Sequence, residues 1–209
     1  MIRKTFPVGM LQCNCTILAD EDTRQAVIID PGDEAAKIVA TLAEDDLTAV
    51  AIVHTHAHID HIGGTFELAQ ATGAPTYLHD GDGFLHQSLE TQAAMLRVPV
   101  PTHGPIDQPL TDDQTIIFGS HQLGVMHTPG HTPGSVCFEL VGEDLCFSGD
   151  TLFNGSIGRT DLPGGDFDLI TRSIRDRLYS LNGAVEVIPG HGPSTRIDRE
   201  RRSNPFVQG

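Results

Sequence analysis

The chain has 209 residues, 39% of them hydrophobic, and carries a formal net charge of −15. That length suits a single domain, residues 1–209, with a real core, and no apolar run is long enough to cross a bilayer. An acidic chain with no basic cluster before its last third is a poor partner for nucleic acid. The first residues hold charge but no apolar stretch of the secretory kind, so a cytoplasmic protein with reduced thiols is expected.

In chain order, residues 15–19 and 25–29 read as two strands joined by the acidic turn 20–24. Asp30-Pro31-Gly32 ends the second strand, and Asp33 is a candidate cap for a helix over 34–42. A strand at 48–53, a helix at 65–71 and a short strand at 76–78 follow, then a broken helical region over 80–95. Residues 97–113 contain Pro99, Pro101, Pro105 and Pro109 and read as an irregular crossing between two halves. Short strands come next at 114–118, 122–127, 135–140 and 144–148. After them lie a Gly-rich loop at 149–165, an Arg-rich amphipathic helix at 166–181, a strand at 185–188 and a last helix at 194–203. The two halves share a plan, which suggests two sheets packed face to face with helices outside. Cys13 and Cys15 are too close for an ordinary bridge, and Cys137 and Cys146 fall in strands, so all four are expected to be buried thiols.

The chemistry concentrates in residues 54–61, His-Thr-His-Ala-His-Ile-Asp-His, which pack four imidazoles and one carboxylate into eight positions. Such a density of borderline metal ligands is hard to explain as packing, because Asp rarely goes inside unpaired. The run sits between a strand and a helix, at the carboxyl end of the strand, where open α/β sheets place their sites. His56 and His58 flank one residue and could aim at one ion; Asp60 and His61 could serve a second. Three later loops each present one further candidate just after a strand: His131 between two Pro-Gly pairs, Asp150 after Ser148-Gly149, and His191 after Pro189-Gly190. Together they supply five His and two Asp, enough for two sites if one carboxylate bridges. His54 and His127 lie outside the pattern and read as supporting residues; His79, His86, His103 and His121 carry no assigned role.

The order His56-Ala57-His58-Ile59-Asp60-His61, then His131, Asp150 and His191, resembles the metallo-β-lactamase superfamily over nearly the whole chain. That resemblance implies an α/β fold, the αββα four-layer sandwich of two mixed sheets. The string from Gly155 to Gly165 and the closing 200–206 segment are similar to the small glyoxalase II-like hydroxyacylglutathione hydrolases. By position, the resemblance gives His56, His58 and His131 to a first divalent metal and Asp60, His61 and His191 to a second, with Asp150 bridging. Zinc is the first expectation, and iron or manganese also suit such ligands.

The implied reaction is hydrolysis of an acyl-glutathione thioester, S-D-lactoylglutathione to D-lactate and glutathione, as in methylglyoxal detoxification. Asp60 would orient the nucleophile, and Arg159 would bind substrate. At Arg159 the longer enzymes of the branch carry Lys, with an aromatic two residues on; here that position is Asp161. The nearest rival is a mononuclear Fe(II) persulfide dioxygenase using His56, His131 and Asp150. A catalytically silent metal-binding module is disfavoured by the complete ligand set, a secreted β-lactamase by the missing signal segment, and a nuclease by the acidic charge. The expected partner is a small molecule, with neither nucleic acid nor membrane; the oligomeric state is open.

Overall fold

The computed structural model describes residues 1–209. Its first sheet runs in the order β1 (Ile2–Val8), β2 (Cys13–Ala19), β3 (Gln25–Ile29), β4 (Thr48–Val53), β5 (Thr76–His79) and β6 (Gln108–Leu110). The first two pairings are antiparallel and the last three parallel. The second sheet holds β7 (Thr115–Phe118), β8 (His121–His127), β9 (Val136–Leu140), β10 (Leu145–Gly149), β13 (Glu186–Pro189) and β14 (Thr195–Arg196), with β13 parallel to β10. Between β10 and β13 a small ribbon forms from β11 (Leu152–Phe153) and β12 (Ser156–Ile157). Helices α1 (Ala35–Glu44) and α3 (Thr65–Thr72) cover the first sheet; α6 (Phe167–Ser173) and α7 (Ile197–Ser203) cover the second.

Strand alternation builds the layers. In β3, Val27 and Ile29 face the second sheet, while Ala26 and Ile28 face α1 and α3. In β9 and β10, Phe138 and Phe147 point between the sheets, whereas Cys137 and Cys146 pack under α6 and α7. The central layer is closed by Phe118, Phe138 and Leu140, each fully buried. Burying a side chain of this size contributes about 1.5–3 kcal/mol. This is the four-layer sandwich expected from the sequence, and no helix is long and apolar enough to cross a membrane.

Several boundaries differ from expectation. β1 is an edge strand whose exposed residues are Arg3, Thr5 and Pro7, so it lacks the apolar run that marks a strand. β6 lies inside the proline-rich crossing; as the last strand of its sheet it can hold Pro109, whose missing N–H faces away from the ladder. Asp33 does not cap α1: Glu34 takes the capping position at φ 53°, and the Asp33 carboxylate accepts only the Glu34 N–H, at 2.6 Å. The 166–181 helix is α6, capped by the Asp166 side chain, continuing as a π-helical turn, Ile174–Leu178. All four cysteines are free and buried.

The carboxyl ends of β3, β4, β8, β10 and β13 all open at one end of the sandwich. The loops that follow them carry every ligand candidate.

Candidate metal centre

The 54–61 run leaves β4 extended and then turns into a one-turn helix, α2 (Ile59–Ile62), so Asp60 and His61 sit on helical backbone and not in a loop. Gly32 allows this turn to pack against the Asp30-Pro31-Gly32 bend: a Cβ there would lie 1.5 Å from the Asp60 carbonyl oxygen. At the second sheet's edge of the site, a Cβ on Gly190 would lie 2.3 Å from Asp150 Oδ1 and 2.6 Å from His61 Cε1. Both glycines are there for close approach.

The seven candidates converge as two groups that share a carboxylate. His56, His58 and His131 form one, with His58 Nδ1 3.0 Å from His131 Nε2. Asp60, His61 and His191 form the other, with His191 Nε2 3.0 Å from Asp60 Oδ2 and 3.3 Å from His61 Nε2. Asp150 lies between them. Its Oδ2 is 3.6 Å from His131 Nε2, while its Oδ1 is 3.4 Å from His61 Nε2 and 3.8 Å from His191 Nε2.

The partners behind the rings set their orientation. The Asp30 carboxylate can only accept, so His61 Nδ1–H donates to Asp30 Oδ2 at 2.9 Å. The Thr55 hydroxyl donates to the same oxygen at 2.7 Å and presents its lone pair to His56 Nδ1, 3.0 Å away. His131 Nδ1 donates to the Arg159 carbonyl at 2.8 Å. Each of these rings therefore turns Nε2, as a lone pair, to the centre. This is how metal-binding histidines are commonly braced from outside. His56 Nε2 and Asp150 Oδ1 are buried and have no hydrogen-bond partner, an arrangement that costs free energy unless a cation satisfies them. The donor set of imidazole and carboxylate fits zinc, iron or manganese.

Electrostatics split the ligand set. Against burial, nearby carboxylates hold the His61 and His191 rings above the ordinary imidazole value, so each gives up a proton when a cation binds. His56 and His58 are already poised as ligands. Burial, with help from His61, His131 and His58, holds the His56 ring well below its ordinary value, and burial with His131 brings His58 to about 4. Both rings are thus neutral near pH 7, as ligands must be. Asp60 is held ionised despite its burial by His61 and the His191 hydrogen bond. Asp150 is held ionised against burial by His61, His131 and His191.

The residues outside the ligand pattern take supporting places. His54 is buried between the Tyr77 carbonyl, 2.7 Å from Nδ1, and the Thr65 hydroxyl, 2.6 Å from Nε2. His127 reaches the Pro133 carbonyl at 2.9 Å and stacks on His79. Cys13 lies 3.5 Å from His61 Nδ1, and burial pushes its thiol up to about 12, so it stays neutral. Arg159 forms a two-pronged pair with Asp161 at 2.8 and 2.7 Å, both side chains exposed.

Three supports went unassigned in the sequence. Asp30, at φ 51°, serves one histidine of each group, directly for His61 and through Thr55 for His56. Asp82 Oδ2 accepts from Ala57 N at 3.0 Å and from Thr132 Oγ1 at 2.8 Å, and its Oδ1 accepts from Gly134 N at 2.6 Å, so it ties the 54–61 run to the His131 loop. Asn14 holds the His191 loop: its N–H donates to the Gly190 carbonyl at 2.7 Å, and its Nδ2 to those of Pro189 and Gly192 at 2.9 and 3.0 Å. The Asp-Pro-Gly bend was a visible signal for Asp30; Asp82 and Asn14 had none.

The comparisons follow the same lines. The model of the metallo-β-lactamase superfamily matches residues 8–191. A probable metallo-hydrolase of Bacillus subtilis is 40% identical, with 99% of this chain and 97% of that protein covered. A hydroxyacylglutathione hydrolase of Haemophilus influenzae, GloC, is 38% identical over 97% of this chain and 96% of its own. Among solved structures, the BLEG-1 B3 metallo-β-lactamase superposes with a TM-score of 0.92 at 39% identity, covering all of both chains. A protein crystallised in a di-iron-bound form gives 0.87 at 39% identity, over 99% of this chain and 100% of that one. ETHE1 from Myxococcus xanthus gives 0.81 at 28%, over 98% of this chain and 84% of that one. The chain belongs to the metallo-β-lactamase superfamily and carries its fold.

Proposed function

We propose that this protein is a dinuclear metal-dependent hydrolase of acyl-glutathione thioesters, S-D-lactoylglutathione among them, acting in the cytoplasm. The observation that carries the reading is the braced ligand set, two triads sharing Asp150, with buried Nε2 and Oδ1 atoms that a cation would satisfy. Bound divalent ions would supply a hydroxide nucleophile at neutral pH and polarise the substrate carbonyl. The chain's own residues do the rest. Asp60, ionised and aimed into the centre beside His191, accepts a hydrogen bond and orients the attacking oxygen. Every imidazole and carboxylate at the centre is engaged as a ligand or with a neighbour, so none is left to hand a proton to a leaving group. A thiolate leaves without that help, since an ordinary thiol has a pKa of about 8.5. An amine does not.

Arg159 is the group we assign to the glutathione carboxylate. Its pair with Asp161 is exposed on both sides, and such pairs contribute only about 0–1 kcal/mol, so exchange onto a substrate carboxylate costs little. Arg159→Ala should raise KM for glutathione thioesters severalfold and leave kcat near its original value.

A second reading, a mononuclear iron dioxygenase, draws support from the likeness to ETHE1. It also draws on the direct Asp60–His191 contact, which leaves that group satisfied by itself. Thiol release and O₂ consumption, measured on one metal-replete sample, separate the readings. Thiol release from S-lactoylglutathione without O₂ uptake supports the hydrolase. O₂ uptake on glutathione persulfide, yielding sulfite and glutathione, with no thiol released from S-lactoylglutathione would replace it, and nitrocefin turnover exceeding both would move the substrate to a β-lactam.

A further inference from the structure

A groove of about 290 Å³ opens beside the Asp60 group. Its walls are the β1–β2 loop, carrying Met10 and Leu11, the start of α2, and the end of α5 (Leu89–Leu96) with the segment after it, carrying Leu96, Val98 and Val100. Met10 is 71% exposed, Leu11 44% and Val100 55%, a concentration of open apolar surface beside Asp60, the one ligand candidate that lines the groove. The charged residues lining the groove are Asp33, Asp60 and Glu67, with no cation among them; Arg97, which lies between Leu96 and Val98 in the chain, does not line it. A carboxylate or phosphate would be repelled there, while an uncharged apolar chain would displace water from both walls. At the other triad the backbone carbonyl of Arg159 holds His131, and its exposed guanidinium, assigned to the thiol part of the substrate, pairs with Asp161 and lines no part of this groove. Charge therefore orients a thioester, its anionic thiol portion toward Arg159 and its acyl portion toward Asp60.

We propose that this groove receives the acyl chain, and that the protein prefers thioesters of unbranched apolar acids over the lactoyl thioester. The inference rests on the thioester-hydrolase reading and sharpens its substrate class. The groove is close to the smallest of ordinary ligand pockets, about 300 Å³, yet a lactoyl group would fill little of it and would bring a hydroxyl to an apolar wall. Each methylene moved from water onto such a wall should raise kcat/KM about fourfold until the groove is full.

The test uses the metal-replete enzyme and S-acyl glutathiones from acetyl to octanoyl, with S-lactoylglutathione alongside. Calorimetric binding of the matching ketones, in which a methylene replaces sulfur, is measured in parallel. A kcat/KM that climbs with chain length, and flattens in Val100→Asp with an unchanged melting curve, is the expected result. A flat profile in the wild type, or an equal slope in Val100→Asp, would overturn the groove assignment and leave the hydrolase reading standing. If no thioester is cleaved, the hydrolase reading falls, and the ketones decide the groove: Kd tightening with length upholds it, and length-independent Kd rejects it. Sedimentation velocity covers the competing occupant. A dimer that Val100→Asp dissociates would mean that a second copy fills the groove, and would also overturn the proposal.

Discussion

At one end of the sandwich Asp20 engages both its carboxylate oxygens with backbone and hydroxyl donors, and His121 Nε2 stands 3.7 Å from Oδ2. Oδ1 accepts from Asp22 N and from the N–H and hydroxyl of Thr23, and Oδ2 from the N–H and hydroxyl of Ser120, so the β2–β3 turn is tied to the β7–β8 turn across the two sheets. At the other end Asp150 sits at the same kind of sheet-to-sheet junction, among histidines, with Oδ1 lacking any hydrogen-bond partner. The two aspartates are close to equivalent in the architecture and opposite in chemistry. One end is satisfied within the chain and closes the fold. The other withholds its satisfaction for a ligand, and its cost is borne by the central core and the closed end.

That contrast can be broken from either side. The largest effect should come from Asp150→Asn, which removes the carboxylate shared by both triads: kcat/KM should fall by at least about a thousandfold, with the far-ultraviolet spectrum unchanged, because residues that act as one unit fail together. Phe118→Ala, fully buried where β7 reaches the closed end, should do the reverse. It should cost about 3–5 kcal/mol in chemical denaturation and leave the kcat of the folded fraction within twofold. Asp30→Asn tests the bracing. It weakens the orientation of one histidine in each triad, so affinity for both metals should drop about 10–100-fold in competition with a chelator. Loss of one metal alone would show that Thr55 and His56 do not depend on Asp30.

Acid should separate the ends by window. His54, buried behind the ligand run, is held down to about 4, chiefly by burial, as His58 is. Against an unfolded value of about 6.5, each of these two rings binds fewer protons in the folded chain between those limits, so their contribution to metal-free stability rises with pH there. His61 and His191, held above the ordinary value by nearby carboxylates, contribute with the opposite sign. His54 alone should account for about 2 kcal/mol lost between pH 7 and pH 5. Asp20 shifts the other way. Its hydrogen bonds with Ser120 and Thr23 hold it below the carboxylate range, so its contribution is present above about pH 4 and lost only as pH falls through the lower folded value. In a His121→Gln background, which removes the imidazole 3.7 Å from Asp20 Oδ2, the destabilisation by Asp20→Asn should therefore be the same at pH 7 and pH 5. A penalty that shrinks over that interval would place Asp20 in the wrong window.

The parts of this molecule that were legible in the sequence are those where residue type and spacing carry the physics. Alternating apolar strands gave away the layers; His56, His58, Asp60 and His61 could be picked out by the density of ligands in one short run after a strand, and His131, Asp150 and His191 because each follows a strand beside a Gly or a Pro-Gly pair. The structure brings all seven together. What escaped depends on contacts between distant segments. Asp82 looks like any acidic residue in a broken helical stretch, yet it joins loops about the centre through Ala57, Thr132 and Gly134. Asn14 sits unremarked between two cysteines and holds the His191 turn from the opposite sheet. β1 and β6 were missed because edge strands need neither an apolar run nor every N–H. The aromatic contact missing at Asp161 was visible, but its pairing with Arg159 was not.

The most direct test is a metal count on protein purified without added metal, by mass spectrometry, for the wild type and for His191→Ala. Two divalent ions per chain, falling to one in His191→Ala, is the result expected of two triads that share Asp150. One ion per chain in both proteins would contradict it, and would leave Asp60, His61 and His191 as a self-satisfied cluster beside a mononuclear site.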